Sequence, residues 1–169
     1  MKTTVPVDAG GQHRVVRELH GALHAAASTV AVAESLTGGL LAFTFTDAPG
    51  ASEVFLGSVT AYTDDAKHRV LGVERALLER HGAVNAEVAR QMAQGVRRLM
   101  NSTYALATTG VAGPQPQDGQ PVGTVFIALA DVHGTHVVSP HPHGDRLTIQ
   151  QQCVAESLRL LQTHLRPPP

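Results

Sequence analysis

A single cysteine in 169 residues excludes an intrachain disulfide and a cysteine-held metal cluster, and Cys153 lies inside a helical pattern that reads as a packed thiol, not a nucleophile. Aromatic residues are scarce. With no Trp, two Tyr and four Phe, the chain has little on which to stack nucleobases. Neither sign of charge dominates: 13 Lys and Arg stand against 14 Asp and Glu for a net charge of −1, and no basic stripe runs along any segment. Direct nucleic-acid binding is therefore not expected. Long apolar runs are missing too. Each is broken by Gly, His or charge, and the opening residues are not followed by a signal-like apolar stretch, so the sequence predicts a cytoplasmic protein with no membrane partner.

What remains is sufficient for one core. A 17.8 kDa chain with 43% hydrophobic residues suits one domain, expected over residues 11–165 with loose tails at 1–10 and 166–169. Ten histidines raise the question of a metal. In the first predicted helix, 11–27, His13, Arg17, His20 and His24 lie opposite Val16, Leu19, Leu23 and Ala26 and read as the solvated face. His133, His136, His141 and His143 fall near Gly and Pro in loop-like sequence. No metal and no other cofactor is expected.

The densest signal is the stretch from Thr29 to Leu41. A β-branched run leads into a polar turn and then a helical pattern, a strand feeding a helix. Ser35 falls at the strand's carboxyl end, and Thr37 is placed to cap a helix opened by Gly38 and Gly39. Such a turn can aim a hydroxyl and unpaired backbone N–H groups at one point, as a nucleophile beside an oxyanion or phosphate site requires.

Residues 54–62 read as a strand delivering Tyr62. Thr63 caps a short helix that holds Lys67 and stops at Gly72, a second short helix spans 74–81, and Asn85 caps a stronger one whose buried stripe is Val88, Met92, Val96 and Leu99. The strand 103–109 runs into Gly110-Val-Ala-Gly-Pro114. Strands 122–130 and 135–138 form a hairpin about His133-Gly134, and a helix over 146–165 closes the domain. This order predicts an α/β fold: a three-layer α/β/α sandwich on a mostly parallel mixed sheet that includes one antiparallel hairpin.

Three strand ends thus carry polar or glycine-rich turns, and open α/β sheets bind ligands at such ends. If the turns converge, a serine hydroxyl, the Tyr62 phenol, the Lys67 amine and free backbone donors meet, which is the equipment of acyl transfer. Lys67 lies in the first turn of its helix, where a cation opposes the macrodipole. To act as a neutral base near pH 7 its pKa must fall by roughly 3 units, about 4 kcal/mol of unfavourable environment.

Ala33-Glu-Ser-Leu-Thr-Gly-Gly39, Tyr62 with Lys67 five positions on, Gly110-Val-Ala-Gly-Pro114, Pro121-Val-Gly-Thr-Val125 and Gly144-Asp-Arg146 follow one another in this order. As an ordered set they resemble the CinA carboxy-terminal domain family, whose members include nicotinamide-nucleotide amidohydrolases. The resemblance implies an α/β sandwich that deamidates nicotinamide mononucleotide to nicotinate mononucleotide and ammonia, with Ser35 as nucleophile and Tyr62 and Lys67 as its activators. It also implies a substrate pocket lined by Thr37, Gly38, Gly39, Thr109, Gly110 and Gly113, with Arg146 meeting an anionic group of the nucleotide. The chain looks like the stand-alone form, with a small-molecule nucleotide as partner and a homo-oligomer admitted. It departs from the family pattern in four places. Leu36 stands where several relatives have Cys, His141-Pro-His143 lacks an aromatic, and Gln150 replaces an Arg. Asp64 stands where Asn is common, adding negative charge that favours the Lys67 ammonium. The alternative reading is a nucleotide-binding or protein-interaction module that keeps the pocket without the chemistry.

Overall fold

Large and small apolar residues alternate along the central strands. Val30, Val32, Leu106 and Leu129 belong to one core cluster, and Ala31, Ala33, Ala105, Ala107, Ala128 and Ala130 to another. Because successive strand side chains point to opposite faces, this pattern gives the sheet one bulky face and one shallow face. The computed structural model describes residues 9–165. Its elements are α1 (Ala9–Ala25), β1 (Val30–Glu34), α2 (Leu40–Thr46), α3 (Ala51–Val54), β2 (Phe55–Thr60), α4 (Asp64–Leu71), α5 (Arg75–His81), α6 (Ala86–Met100), β3 (Tyr104–Gly110), β4 (Val125–Ala130), β5 (Thr135–Val138) and α7 (Arg146–Leu165).

The strands form one mixed sheet in the order β2-β1-β3-β4-β5. β1 pairs parallel with β2 and β3, and its last residue, Glu34, lies opposite Thr60 and Thr108. β4 pairs antiparallel with β3 and with β5, the latter being the expected hairpin. Parallel and antiparallel pairings are thus equally represented, because the chain leaving β3 at Gly110 returns directly beside it at Val125. Helices α1, α2 and α7 cover the bulky face through Leu19, Leu23, Leu41, Phe45, Leu158 and Leu161. Helices α4 and α6 cover the alanine face through Leu71, Val88, Met92 and Val96. The result is the three-layer α/β/α sandwich. Between α6 and α4 the approach is so close that a Cβ at Gly95 would lie 2.0 Å from the Leu71 carbonyl oxygen. A third cluster of Leu36, Ala112, Val125, Ile127, Ile149 and Cys153 packs beside the Ser35 turn. Cys153 is fully buried, and burial, with the Glu34 charge adding to it, pushes its thiol far above the ordinary value.

Several expectations shift. α1 takes in Ala9 and Gly10, two residues assigned to the tail; the remainder of that tail, and 166–169, lie outside the described residues. The helix also ends earlier, at Ala25, with Ala27 in the left-handed region at φ 48°. His20 is buried, not solvated: α3 and its Gly50 cap close over it, its ring stacks on Phe45, and Nδ1 lies 3.1 Å from the Pro49 carbonyl oxygen. Leu99 is exposed, because the buried ridge of α6 advances in steps of four from Val88 through Met92 and Val96 to Met100. β2 ends at Thr60, so Tyr62 stands beyond the strand.

Candidate active site

Ser35 follows β1 directly, and its N–H is fixed by the Thr108 carbonyl of β3 at 3.0 Å. The turn after it is held from beneath by Glu34. Fully buried, the Glu34 carboxylate accepts from the N–H groups of Gly39 (3.1 Å), Leu41 (2.9 Å) and Ala42 (2.9 Å) and so caps α2. The sequence pattern assigns that cap to Thr37. Thr37 instead packs inward, its hydroxyl 2.8 Å from that of Thr108, while Gly38 and Gly39 carry the chain into α2 through left-handed conformations at φ 61° and 103°. The donors at the start of α2 are therefore already occupied by an anion and are not open to a ligand. An acid at a strand end within reach of a helix start was the signal available for Glu34.

A cavity of about 390 Å³ opens beside this turn. Ser35, Tyr62, Thr109, Gly110, Gly113 and Arg146 all line it, drawn from three strand ends and the start of α7. Thr37, Gly38, Gly39 and Lys67 do not. Thr109 is buried, its hydroxyl donating to the Ala83 carbonyl at 2.8 Å. Gly110 permits a close crossing, since a Cβ there would lie 2.5 Å from the Thr124 carbonyl oxygen. In the loop that follows, the N–H groups of Ala112 and Gly113 have no hydrogen-bond partner among the described residues, and the same holds for Leu36 beside Ser35. Leu36, Ala112 and Gly113 all line the cavity, whereas the residues at the start of α2 do not.

Lys67 is buried with 1% of its surface exposed, and Nζ donates to the Tyr62 carbonyl at 3.2 Å. Burial lowers its pKa; the charges of Asp64 and then Asp118 oppose that shift. The Asp64 effect was legible in the sequence, whereas Asp118 was not singled out. Tyr62 itself is largely exposed and lines the cavity. Arg146 is also exposed, and Nη2 donates to the Gly113 carbonyl; Asp145, its chain neighbour, instead caps α7 by accepting from Thr148 N–H at 2.9 Å. Gln150, which stands where Arg was expected, donates to the Leu36 carbonyl at 2.7 Å and ties α7 to the serine turn.

The family model of the CinA C-terminal domain matches residues 12–165. The chain belongs to the CinA C-terminal domain family. A CinA-like protein of Frankia casuarinae is 48% identical over 145 residues, covering 86% of this chain and 34% of the relative. A CinA-like protein of Syntrophomonas wolfei is 48% identical over 141 residues, 81% of this chain and 33% of the relative. The chain thus spans about a third of the length of these curated relatives. Among solved structures, competence damage-inducible protein A (ComA) from Klebsiella pneumoniae superposes with a TM-score of 0.88 at 31% identity, covering 91% of this chain and 96% of that one. Competence/damage inducible protein CihA from Agrobacterium tumefaciens gives 0.87 at 32% identity, covering 97% and 99%. Among the described residues no helix is long and apolar enough to cross a membrane.

Proposed function

We propose that this CinA-family domain is an amidohydrolase that converts nicotinamide mononucleotide to nicotinate mononucleotide and ammonia in cytoplasmic pyridine-nucleotide recycling. The observation that carries the reading is the meeting in one cavity of Ser35, Tyr62, the Gly110–Gly113 segment and Arg146. In this reading the Ser35 hydroxyl attacks the carboxamide carbon, its proton passing toward Tyr62 and Lys67. The developing oxyanion is met by backbone N–H groups of the Leu36 and Ala112–Gly113 segments. The C–N bond then breaks and ammonia leaves with the proton. Water attacks the resulting ester, which releases the acid and restores the serine. Arg146, at the rim, is suited to the nucleotide phosphate.

Burial of Lys67 supports the role of base, since it disfavours the ammonium. The opposing charges of Asp64 and Asp118 favour the second reading, a nucleotide-binding module without chemistry. Incubating the purified protein with nicotinamide mononucleotide and assaying ammonia separates the two. Turnover well above a Ser35→Ala control is expected; binding by calorimetry with no ammonia released would leave only the module.

A further inference from the structure

The outer wall of the cavity is the segment Pro114–Gln117, which runs into a tight hairpin. Gln117 and Gln120 exchange backbone hydrogen bonds at 3.1 and 2.8 Å, and Asp118 and Gly119 between them are both left-handed, at φ 53° and 71°. That is the two-residue turn that Asp-Gly favours. The hairpin tip is clasped to the body of the domain. The Asp118 carboxylate accepts from the Ala83 N–H at 2.9 Å, and it lies so close to Gly82 that a Cβ there would be 2.5 Å from the Asp118 carboxyl carbon. Ala83 is held from its other side by the Thr109 hydroxyl, and Ala83 and Thr109 both line the cavity. One carboxylate therefore joins the loop wall, the turn after α5 and the end of β3. Its charge is also felt at Lys67. The other acidic group acting there is Asp64, on the lysine's own helix. α6, which packs on α4, brings Arg98 near Gly72 at the far end of that helix.

We propose that Asp118 is a positioning residue for the cavity: its carboxylate pins the 114–121 loop in place as a wall and fixes the turn at Ala83 behind it. The clasp does not depend on the amidohydrolase reading, and its readout needs no ligand; the clasp and the charge felt at Lys67 differ in what they need. The clasp requires an acceptor, which Asn retains, whereas the action on Lys67 requires a negative charge, which Asn lacks.

The sequence offers a clean probe, because Lys2 and Lys67 are its only lysines. In protein labelled with [ε-¹³C]lysine and carrying Lys2→Arg, the one remaining signal reports the titration of Lys67. Asp118→Asn should move its midpoint to lower pH while leaving exchange at the Ala83 amide slow. Asp118→Ala should move the midpoint likewise and also speed Ala83 exchange by about tenfold or more, as expected for the loss of a hydrogen bond to a charged acceptor. Gly82→Ala reaches the clasp by a second route, pushing the carboxylate away without removing it, and should speed the same amide. Should that variant fail to fold, Asp118→Ala still tests the clasp alone. In turnover, Asp118→Asn should shift the rising limb of the pH–rate profile to lower pH, and Asp118→Ala should in addition raise KM. An Ala83 amide unaffected by Asp118→Ala overturns the inference; a Lys67 midpoint unmoved by Asp118→Asn, with the amide still responding to Asp118→Ala, shows that the clasp acts on the wall alone. Wild-type protein that releases no ammonia overturns the amidohydrolase reading instead and leaves both ligand-free measurements standing.

Discussion

Lys67 places an amine where the fold would favour an apolar side chain: it is buried, with the Tyr62 carbonyl as its hydrogen-bond acceptor. Lys67→Met keeps an unbranched side chain one atom shorter and removes the charge, and replacing buried ionic groups by apolar ones of similar volume is often neutral or stabilising by about 1–4 kcal/mol. The pH dependence follows from linkage. Burial lowers the lysine's pKa in the folded state, so the unfolded chain holds the proton more tightly. The penalty is full below the lowered pKa and fades as pH rises from there toward the ordinary 10.5. Urea unfolding should accordingly show Lys67→Met more stable than wild type at pH 7, with a smaller advantage at pH 10; a variant less stable at pH 7 would contradict the assignment. Catalysis should respond in the opposite direction. Ser35→Ala and Lys67→Ala are each expected to reduce kcat by at least roughly 10³-fold, and the double variant should be little worse than the poorer single, because members of one acyl-transfer unit are non-additive. Near-normal kcat in Lys67→Ala alone would move the base to Tyr62.

At the level of elements, two glycines in helices should answer the same substitution with opposite signs. A Cβ at Gly21, in α1, would meet nothing within 4 Å, so Gly21→Ala should stabilise by about 1 kcal/mol through helix propensity. In α6, Gly95→Ala would drive a methyl into the Leu71 backbone and should destabilise by about 2–3 kcal/mol or more. Thermal melts of the two variants decide this. Glu34→Ala removes the acceptor for three N–H groups at once and should lower stability by about 2–4 kcal/mol, measurable by the same melts. These elements also show what the sequence disclosed. The caps at Thr63 and Asn85 and the stop at Gly72 were readable because each partner lies within one turn. Glu34 was not read as a cap, because its N–H partners lie five to eight residues further along the chain, beyond the Ser35 turn. His20 was misplaced because its cover, α3, arrives 30 residues later through Gly50. Asp118 was missed for the same reason, since its acceptor role depends on Ala83, 35 residues away.

For the whole molecule, the sheet brings together turns that lie as much as 111 residues apart along the chain, from Ser35 to Arg146, and no local pattern could establish that they would meet. A ligand that bridges them should stabilise the fold globally. At about a hundredfold excess over Kd, nicotinamide mononucleotide should add roughly 2.7 kcal/mol, or about 5–10 °C in melting temperature for a domain of this size. Arg146→Ala should need more nucleotide for the same shift. The buried thiol of Cys153 has a separate use. It is the chain's one sulfhydryl, sits at 0% exposure, and shares its packing with Leu36 and Ala112, neighbours of the proposed nucleophile and its oxyanion donors. A thiol-specific chromogenic reagent can reach it only when the packing around it opens. The unmodified protein thus carries its own clock for opening motions, and slower labelling in the presence of nucleotide would time how firmly an occupied cavity holds that packing shut.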